Sequence, residues 1–337
     1  VPQDEDMRLL VLGGTHHVGR AVVEAALERG DTVTTVTRGL SGPSARGADA
    51  VHVDRTDRQA LDTALRDQTW DVALDTWSGA PRLVHDSTAL LAAQVAHYVY
   101  VSSRSVYVWP MPPGSDESAP VVDADPMSDG ESDYAAAKRG AEMAVEQTFG
   151  ERALLARAGL ILGPYEVVGR LPWWLGRIAR GGRVLAPGPW ERPLQYVDGR
   201  DLATWLLAAA DRRLGGAFNA VSRPGHATIG ELLEACAEST GADAELVWTP
   251  PEVIDAAGIS GWTELPIWVP PTGDLAGLHA ADVSAAYREG LTCRPVADTV
   301  RDTWRWLSEE GLPEPPPGRP GTGLHPDKEQ ALLAAMG

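Results

Sequence analysis

The chain's 337 residues correspond to about two domains of ordinary size, enough for a real hydrophobic core. With 47 acidic against 29 basic side chains the formal charge is −18, a field that repels nucleic acid and anionic membrane. An apolar content of 44% with 23% charged residues excludes a disordered or fibrous chain, and two distant cysteines, Cys236 and Cys293, exclude a disulfide framework or zinc motif.

Residues 1–6 read as a leader or cloning remnant ahead of Met7. The apolar run at 9–12 is too short for a signal peptide or a membrane span, so the expectation is a cytoplasmic protein with no membrane partner. Runs at 9–12, 32–37, 50–53, 72–75 and 98–102 predict strands, and helical periodicity at 18–29 and 56–66 separates them. This alternation predicts an α/β protein, a doubly wound parallel sheet of Rossmann type with a smaller C-terminal substrate-binding lobe. Residues 108–133 are rich in Pro and Asp and longer than a plain loop, which predicts a lid or binding segment; its acidic side chains read as solvated. Further on, 154–162 predicts a sixth strand, 201–210 a helix and 217–222 another strand. The dinucleotide-binding domain is thus expected over 7–165, rejoined by about 194–222. Residues 166–193 and 223–310 make the substrate lobe, and 311–337 a Pro/Gly linker at 312–323 with a terminal helix at 327–336.

The first strand runs into Gly13, Gly14, Thr15, His16, His17, Val18 and Gly19 and then a helix, the context that gives a glycine loop its meaning. Gly13 permits the tight turn, amides at the helix start can face a pyrophosphate, and Gly19 lets the helix pack close to the sheet. His16 stands where a middle glycine often does. Adjacent histidines lack the i, i+4 geometry of a ligand pair, so no metal is expected. NAD enzymes usually place an acidic residue after the second strand; here Thr37, Arg38 and Gly39 stand there, Arg46 follows and Arg20 begins the first helix. Guanidinium groups suit a 2′-phosphate, which favours NADP over NAD. Asp54, ending the third strand, can accept from an adenine amino group or cap the next helix.

Tyr134 and Lys138 form Y-x-x-x-K at the start of a helix capped near Ser132 or Asp133, one turn apart on one face. With seven tyrosines and only two lysines in the chain, the expected number of chance matches is roughly 0.04. The chemistry explains the pairing, because a phenol near pKa 10 is a poor acid or base at neutral pH and a nearby ammonium favours its phenolate. Upstream, Ser102, Ser103, Arg104, Ser105, Val106 and Tyr107 close the fifth strand, and a hydroxyl there can polarise a substrate carbonyl.

The glycine loop, this Ser-Ser-Arg-Ser-Val-Tyr segment and Tyr134 to Lys138 are joined by Arg157 with Leu162-Gly163-Pro164, Tyr196-Val197-Asp198 with Asp201-Leu202-Ala203, and Phe218-Asn219. Together they resemble the short-chain dehydrogenase/reductase superfamily in its extended form, which includes the NAD-dependent epimerase/dehydratase family. The resemblance spans nearly the whole chain. It implies Ser103 as the catalytic hydroxyl and allows a homodimer through the Tyr134 helix. The His-His loop is similar to an atypical branch that also holds chloroplast stem-loop RNA-binding relatives.

Departures from the family pattern narrow the chemistry. Arg104 and Ser105 replace the acidic pair of the dehydratases, which disfavours elimination. Leu160 and Leu194 replace the Asn and Arg that sugar-nucleotide epimerases use, although Arg192 is near. Trp109, Trp173, Trp174 and Trp190 follow strand or loop ends and are candidates for a flatter, more apolar substrate pocket, whereas Trp205, Trp304 and Trp306 read as core. The expected function is NADP-dependent reduction of a carbonyl, or oxidation of an alcohol, on a small non-nucleotide metabolite by Ser103, Tyr134 and Lys138. An NAD(P)-dependent sugar epimerase is the alternative. A non-catalytic nucleotide sensor or RNA-binding module is a third reading, disfavoured by the complete Ser-Tyr-Lys set and by the charge.

Overall fold

Alternation within the first strand sets the layering. In β1 (Arg8–Leu12), Leu9 and Val11 face one side and Leu10 and Leu12 the other, and all four are buried. Such a strand needs cover on both faces. The computed structural model describes residues 6–40, 44–130, 133–313 and 322–337. Most of the leader expected at 1–6, Ser132 as a cap, and most of the linker at 312–323 lie outside the described residues.

The cover comes from helices that alternate with strands: α1 (His17–Arg29), β2 (Thr32–Thr37), β3 (Asp49–His52), α2 (Arg58–Leu65), β4 (Trp70–Asp75), α3 (Pro81–Leu91), β5 (Val95–Ser103), α4 (Tyr134–Phe149) and β6 (Ala153–Ala158). Leu9 and Val11 share a core with Val18 and Val22 of α1, while Leu10 and Leu12 share one with Leu61, Val84 and Ala144 of α2, α3 and α4. The residues expected as one strand at 154–162 are two. Gly159 separates β6 from β7 (Leu160–Leu162), and a Cβ there would stand 2.8 Å from Val221 Cγ2, so the chain bends where only glycine fits.

After the bend β7 leaves the main sheet. The chain continues through α5 (Arg170–Ala179), β8 (Gly182–Pro187), β9 (Pro193–Leu194), β10 (Tyr196–Asp198), α6 (Gly199–Asp211) and β11 (Gly216–Ala220). β10 pairs in parallel with β7 in a small separate sheet, so of the segment at 194–222 only β11 rejoins the central one. That sheet is parallel throughout, in the order β11-β6-β5-β4-β1-β2-β3. The order reverses between β1 and β4, where a crevice for ligands opens at the strand ends.

The remaining chain adds β12 (Ala227–Thr228), α7 (Ile229–Thr240), β13 (Ala244–Thr249), α8 (Pro251–Ala256), α9 (Ser284–Arg288), α10 (Val296–Glu310) and α11 (Pro326–Ala335). A third core joins α5, α7 and α10 to the β8/β13 pair, and Leu333 of α11 is buried in it. Among the described residues of 108–133 there is no helix or strand beyond a single bridge from Val121 to Tyr107, yet the segment is pinned: Val108 N donates to Pro120 O, Val122 N to Val106 O and Gly114 N to Ala280 O.

Candidate active site

The glycine loop leaves β1 by a turn that only glycine makes easily. Gly13 has φ +119°, its amide donates to Val36 O at 3.0 Å, and a side chain there would run into Thr76 Oγ1. A Cβ on Gly19 would stand 2.8 Å from Gly14 N, so the third glycine is what brings α1 against the loop. His16 is exposed and extended, with φ −129°, a conformation that needs no glycine. No side chain caps α1 and no acidic residue sits in its first turn, so its leading amides can receive a phosphate.

Gly13, Thr15, His16, Arg38 and Asp54 line a cavity of about 290 Å³ at this loop. Asp54 accepts from Thr56 N and Thr56 Oγ1 at 2.9 and 2.8 Å, which holds its carboxyl below the usual range. The cap of α2 is Asp57 instead. Arg38 is exposed at the rim, whereas Arg20 is turned toward Glu24 and lies over the Tyr165 ring at 5.2 Å, outside the lining. The floor includes Arg55, which grips Asp75 with two bonds of 2.8 and 2.9 Å. Burial alone would raise the Asp75 carboxyl, but this guanidinium wins and holds it low.

A second cavity of about 550 Å³ adjoins the first, since Ser78 lines both. Ser103, Tyr134, Trp109 and His17 all line it. Ser103 ends β5, accepts from Ser105 N at 3.1 Å and donates to Ser105 Oγ at 3.1 Å. Tyr134 opens α4, capped by Asp133, and is 43% exposed. Lys138, one turn on, is 3% exposed and donates to Trp77 O at 2.6 Å and Val101 O at 2.8 Å. Burial pushes its ammonium down to about 7, against the pull of Asp75 and Glu142. Two of its three N–H groups are thus spent on carbonyls and one is left. Val18 and Gly19 are buried in the first turn of α1, away from both cavities.

Behind Ser103, neighbouring Ser102 donates to Glu142 at 2.7 Å, and Glu142 pairs with Arg157 through bonds of 2.9 and 3.0 Å. Arg157 reaches Tyr107 Oη at 3.1 Å, which donates to Asn219 Oδ1 at 2.8 Å. This buried chain ties the middle of α4 to the carboxyl ends of β5, β6 and β11.

Three of the four expected pocket tryptophans lie elsewhere. Trp174 is on the buried stripe of α5 with Leu171, Leu175 and Ile178, and its Nε1 donates to Pro266 O at 2.7 Å. Trp173 packs edge-on against it at 4.7 Å, and Trp190 covers Gly230 and bonds Glu234 at 2.8 Å. A strand-end position predicts exposure to ligand, but the lobe's core claims Trp173 and Trp174 first, and Trp190 is half-buried against α7. The cavity wall uses Arg104 of the Ser-Ser-Arg-Ser-Val-Tyr segment and three residues that no motif marked: Trp262 beneath Arg170 at 4.7 Å, Glu166 and His279. Burial raises Glu166 to about 7 despite Arg170 and the Arg170 and Leu171 amides it accepts from, and burial lowers His17 and His279 to about 4.

The profile of the NAD dependent epimerase/dehydratase family matches residues 9–220. The chain belongs to this family. It is an enzyme of the extended short-chain dehydrogenase/reductase type, in a family that depends on NAD. A comparison with curated proteins gives no match. Among solved structures, the Bordetella bronchiseptica enzyme WbmH, in complex with NAD+, is 18% identical with a TM-score of 0.70, covering 91% of this chain and 100% of that one. WbmG of the same organism, with NAD and UDP, is 15% identical with a TM-score of 0.65, covering 91% and 97%. The UDP-glucose 4-epimerase of Thermotoga maritima, with UDP-glucose, is 20% identical with a TM-score of 0.64, covering 90% and 99%. The family's fold therefore extends beyond residue 220 into the second lobe. No helix among the described residues is long and apolar enough to cross a membrane.

Proposed function

We propose that the chain is an NADP-dependent oxidoreductase that reduces a carbonyl, or oxidises an alcohol, on a small metabolite that is not a nucleotide. The supporting observation is the joined cleft, with the glycine loop and Arg38 along one cavity and Ser103 and Tyr134 along the next. Gly13 to Gly19 would hold the pyrophosphate, Asp54 the adenine and Arg38 a 2′-phosphate. Residues 166–193 and 223–310 form the substrate lobe. When bound, the cofactor supplies or takes up the hydride. Ser103 holds the substrate oxygen by a hydrogen bond, and Tyr134 donates its phenolic proton to that oxygen as it gains charge. Lys138 stabilises the resulting phenolate and keeps one N–H for a ribose hydroxyl.

The same three residues, working in both directions on one carbinol centre, would epimerise it, which the family's description favours. Arg104 and Ser105, where a dehydratase carries its acidic pair, count against elimination. Tyr134→Phe should leave NADPH affinity intact in calorimetry and cut turnover by roughly 10² to 10⁴. Lys138→Met should weaken both. Full turnover by Tyr134→Phe would remove the tyrosine from the chemistry.

A further inference from the structure

The cavity wall carries one charged group whose pairing is incomplete. Arg104 is 3% exposed and lines the 550 Å³ cavity directly after Ser103. Its Nη1 donates to Leu278 O at 2.7 Å, but Nε and Nη2 are buried with no hydrogen-bond partner, and among the described residues no carboxylate pairs with it. Burial brings the guanidinium only down to about 10, so it stays charged at neutral pH. A buried cation without a counter-ion is costly, and a fold does not retain one for stability. The other ionisable groups on the wall do not supply the missing charge. His17 and His279 are neutral, Glu166 is bound to the Arg170 and Leu171 amides, and Arg170 is itself a cation.

Resting on the oxidoreductase reading above, we propose that the substrate is an acid whose carboxylate pairs with Arg104, placing the carbon to be reduced or oxidised beside Ser103. The fork of N–H groups left open on one edge of the guanidinium matches the two oxygens of a carboxylate. With one bond to Leu278 as its anchor, the head turns toward the cavity when the anion enters. The guanidinium lies over the Trp109 ring at 6.0 Å, and Trp109 lines the same cavity. Arg104 thereby sets specificity, and its position explains why the acidic pair of a dehydratase would be out of place here: a carboxylate substrate would be repelled.

The test is direct binding to the enzyme saturated with NADP+ or NAD+, using benzoate, mandelate and malate against benzamide, mandelamide and malamide, with inorganic phosphate and UDP as further probes. At least one acid should bind, and its amide should bind roughly 30-fold or more weakly. Arg104→Gln should erase that preference, and Arg104→Lys should restore part of it, since it keeps the charge and loses the fork. Without ligand, Arg104→Gln should melt at or above the wild-type temperature, whereas a merely structural arginine would lower it. Equal binding of acids and amides, or binding of UDP or phosphate but of no carboxylate, would overturn the proposal. Failure of either dinucleotide to bind would strike the oxidoreductase reading instead.

Discussion

Buried arginines on the two sides of the cleft are treated in opposite ways. On the floor, Arg55 meets Asp75 and Arg157 meets Glu142, each through two bonds between 2.8 and 3.0 Å. On the wall, Arg104 has a single carbonyl. The floor's pairs tie strand ends to a neighbouring loop and helix, Asp75 of β4 to the loop after β3 and Arg157 of β6 to α4, and the pairing serves rigidity. The wall holds its charge in reserve, which makes sense only where a ligand completes it. Buried charge is therefore not one kind of feature in this protein, and the two kinds should respond differently to the loss of a partner.

Glu142→Ala is the strongest way to break this comparison. It strands Arg157 and removes the acceptor of Ser102, so the expected loss is about 3 to 5 kcal/mol, read as a lower urea midpoint with an unchanged slope. Arg104→Gln, by contrast, should cost no stability. Equal destabilisation by the two would mean that floor and wall are built alike.

The same division separates what the sequence discloses from what it hides. Gly13, Gly19, Ser103, Tyr134 and Lys138 stand at fixed spacings because one strand, turn or helix holds each set, and local geometry is legible in a string of residues. Glu166, Trp262 and His279 reach the cavity from three separate stretches of irregular chain, and nothing local marks them. Trp173 and Trp174 follow a strand end, which predicts a cavity wall, whereas the stripe of Leu171, Trp174, Leu175 and Ile178 has helical spacing and predicts a buried face. The break at Gly159 was hidden too, because apolar residues continue on both sides of it and only the packing of Val221 demands glycine.

Arg38 sharpens the comparison from the cofactor side. It is exposed at the rim, unlike either buried set, and the Asp54 carboxylate faces it. Arg38→Ala should weaken NADPH binding by about 1 to 3 kcal/mol in titration calorimetry and leave NADH nearly unchanged. Equal losses for both dinucleotides would show that the arginine shapes the cavity without reading the 2′-phosphate.

Glu166 gives the effect with a pH signature. Its folded carboxyl titrates near 7, above the 4.5 of the free group, because burial disfavours the charge more than the Arg170 and Leu171 amides favour it. The folded chain thus holds a proton between those values that the unfolded chain has released. The stability this contributes is complete below about 4.5 and is lost as pH rises through 7. Glu166→Gln has no such titration, although its amide can satisfy only one of the two backbone donors. Wild type should therefore lead the variant at pH 4.5, and that lead should shrink by about 3 kcal/mol by pH 8, measured as paired urea midpoints. A difference independent of pH would mean that Glu166 is ionised throughout. The titration also reaches the wall, because an ionised Glu166 adds negative charge to the cavity that holds Arg104. Carboxylate affinity should then fall as pH passes 7 in wild type and stay level in Glu166→Gln.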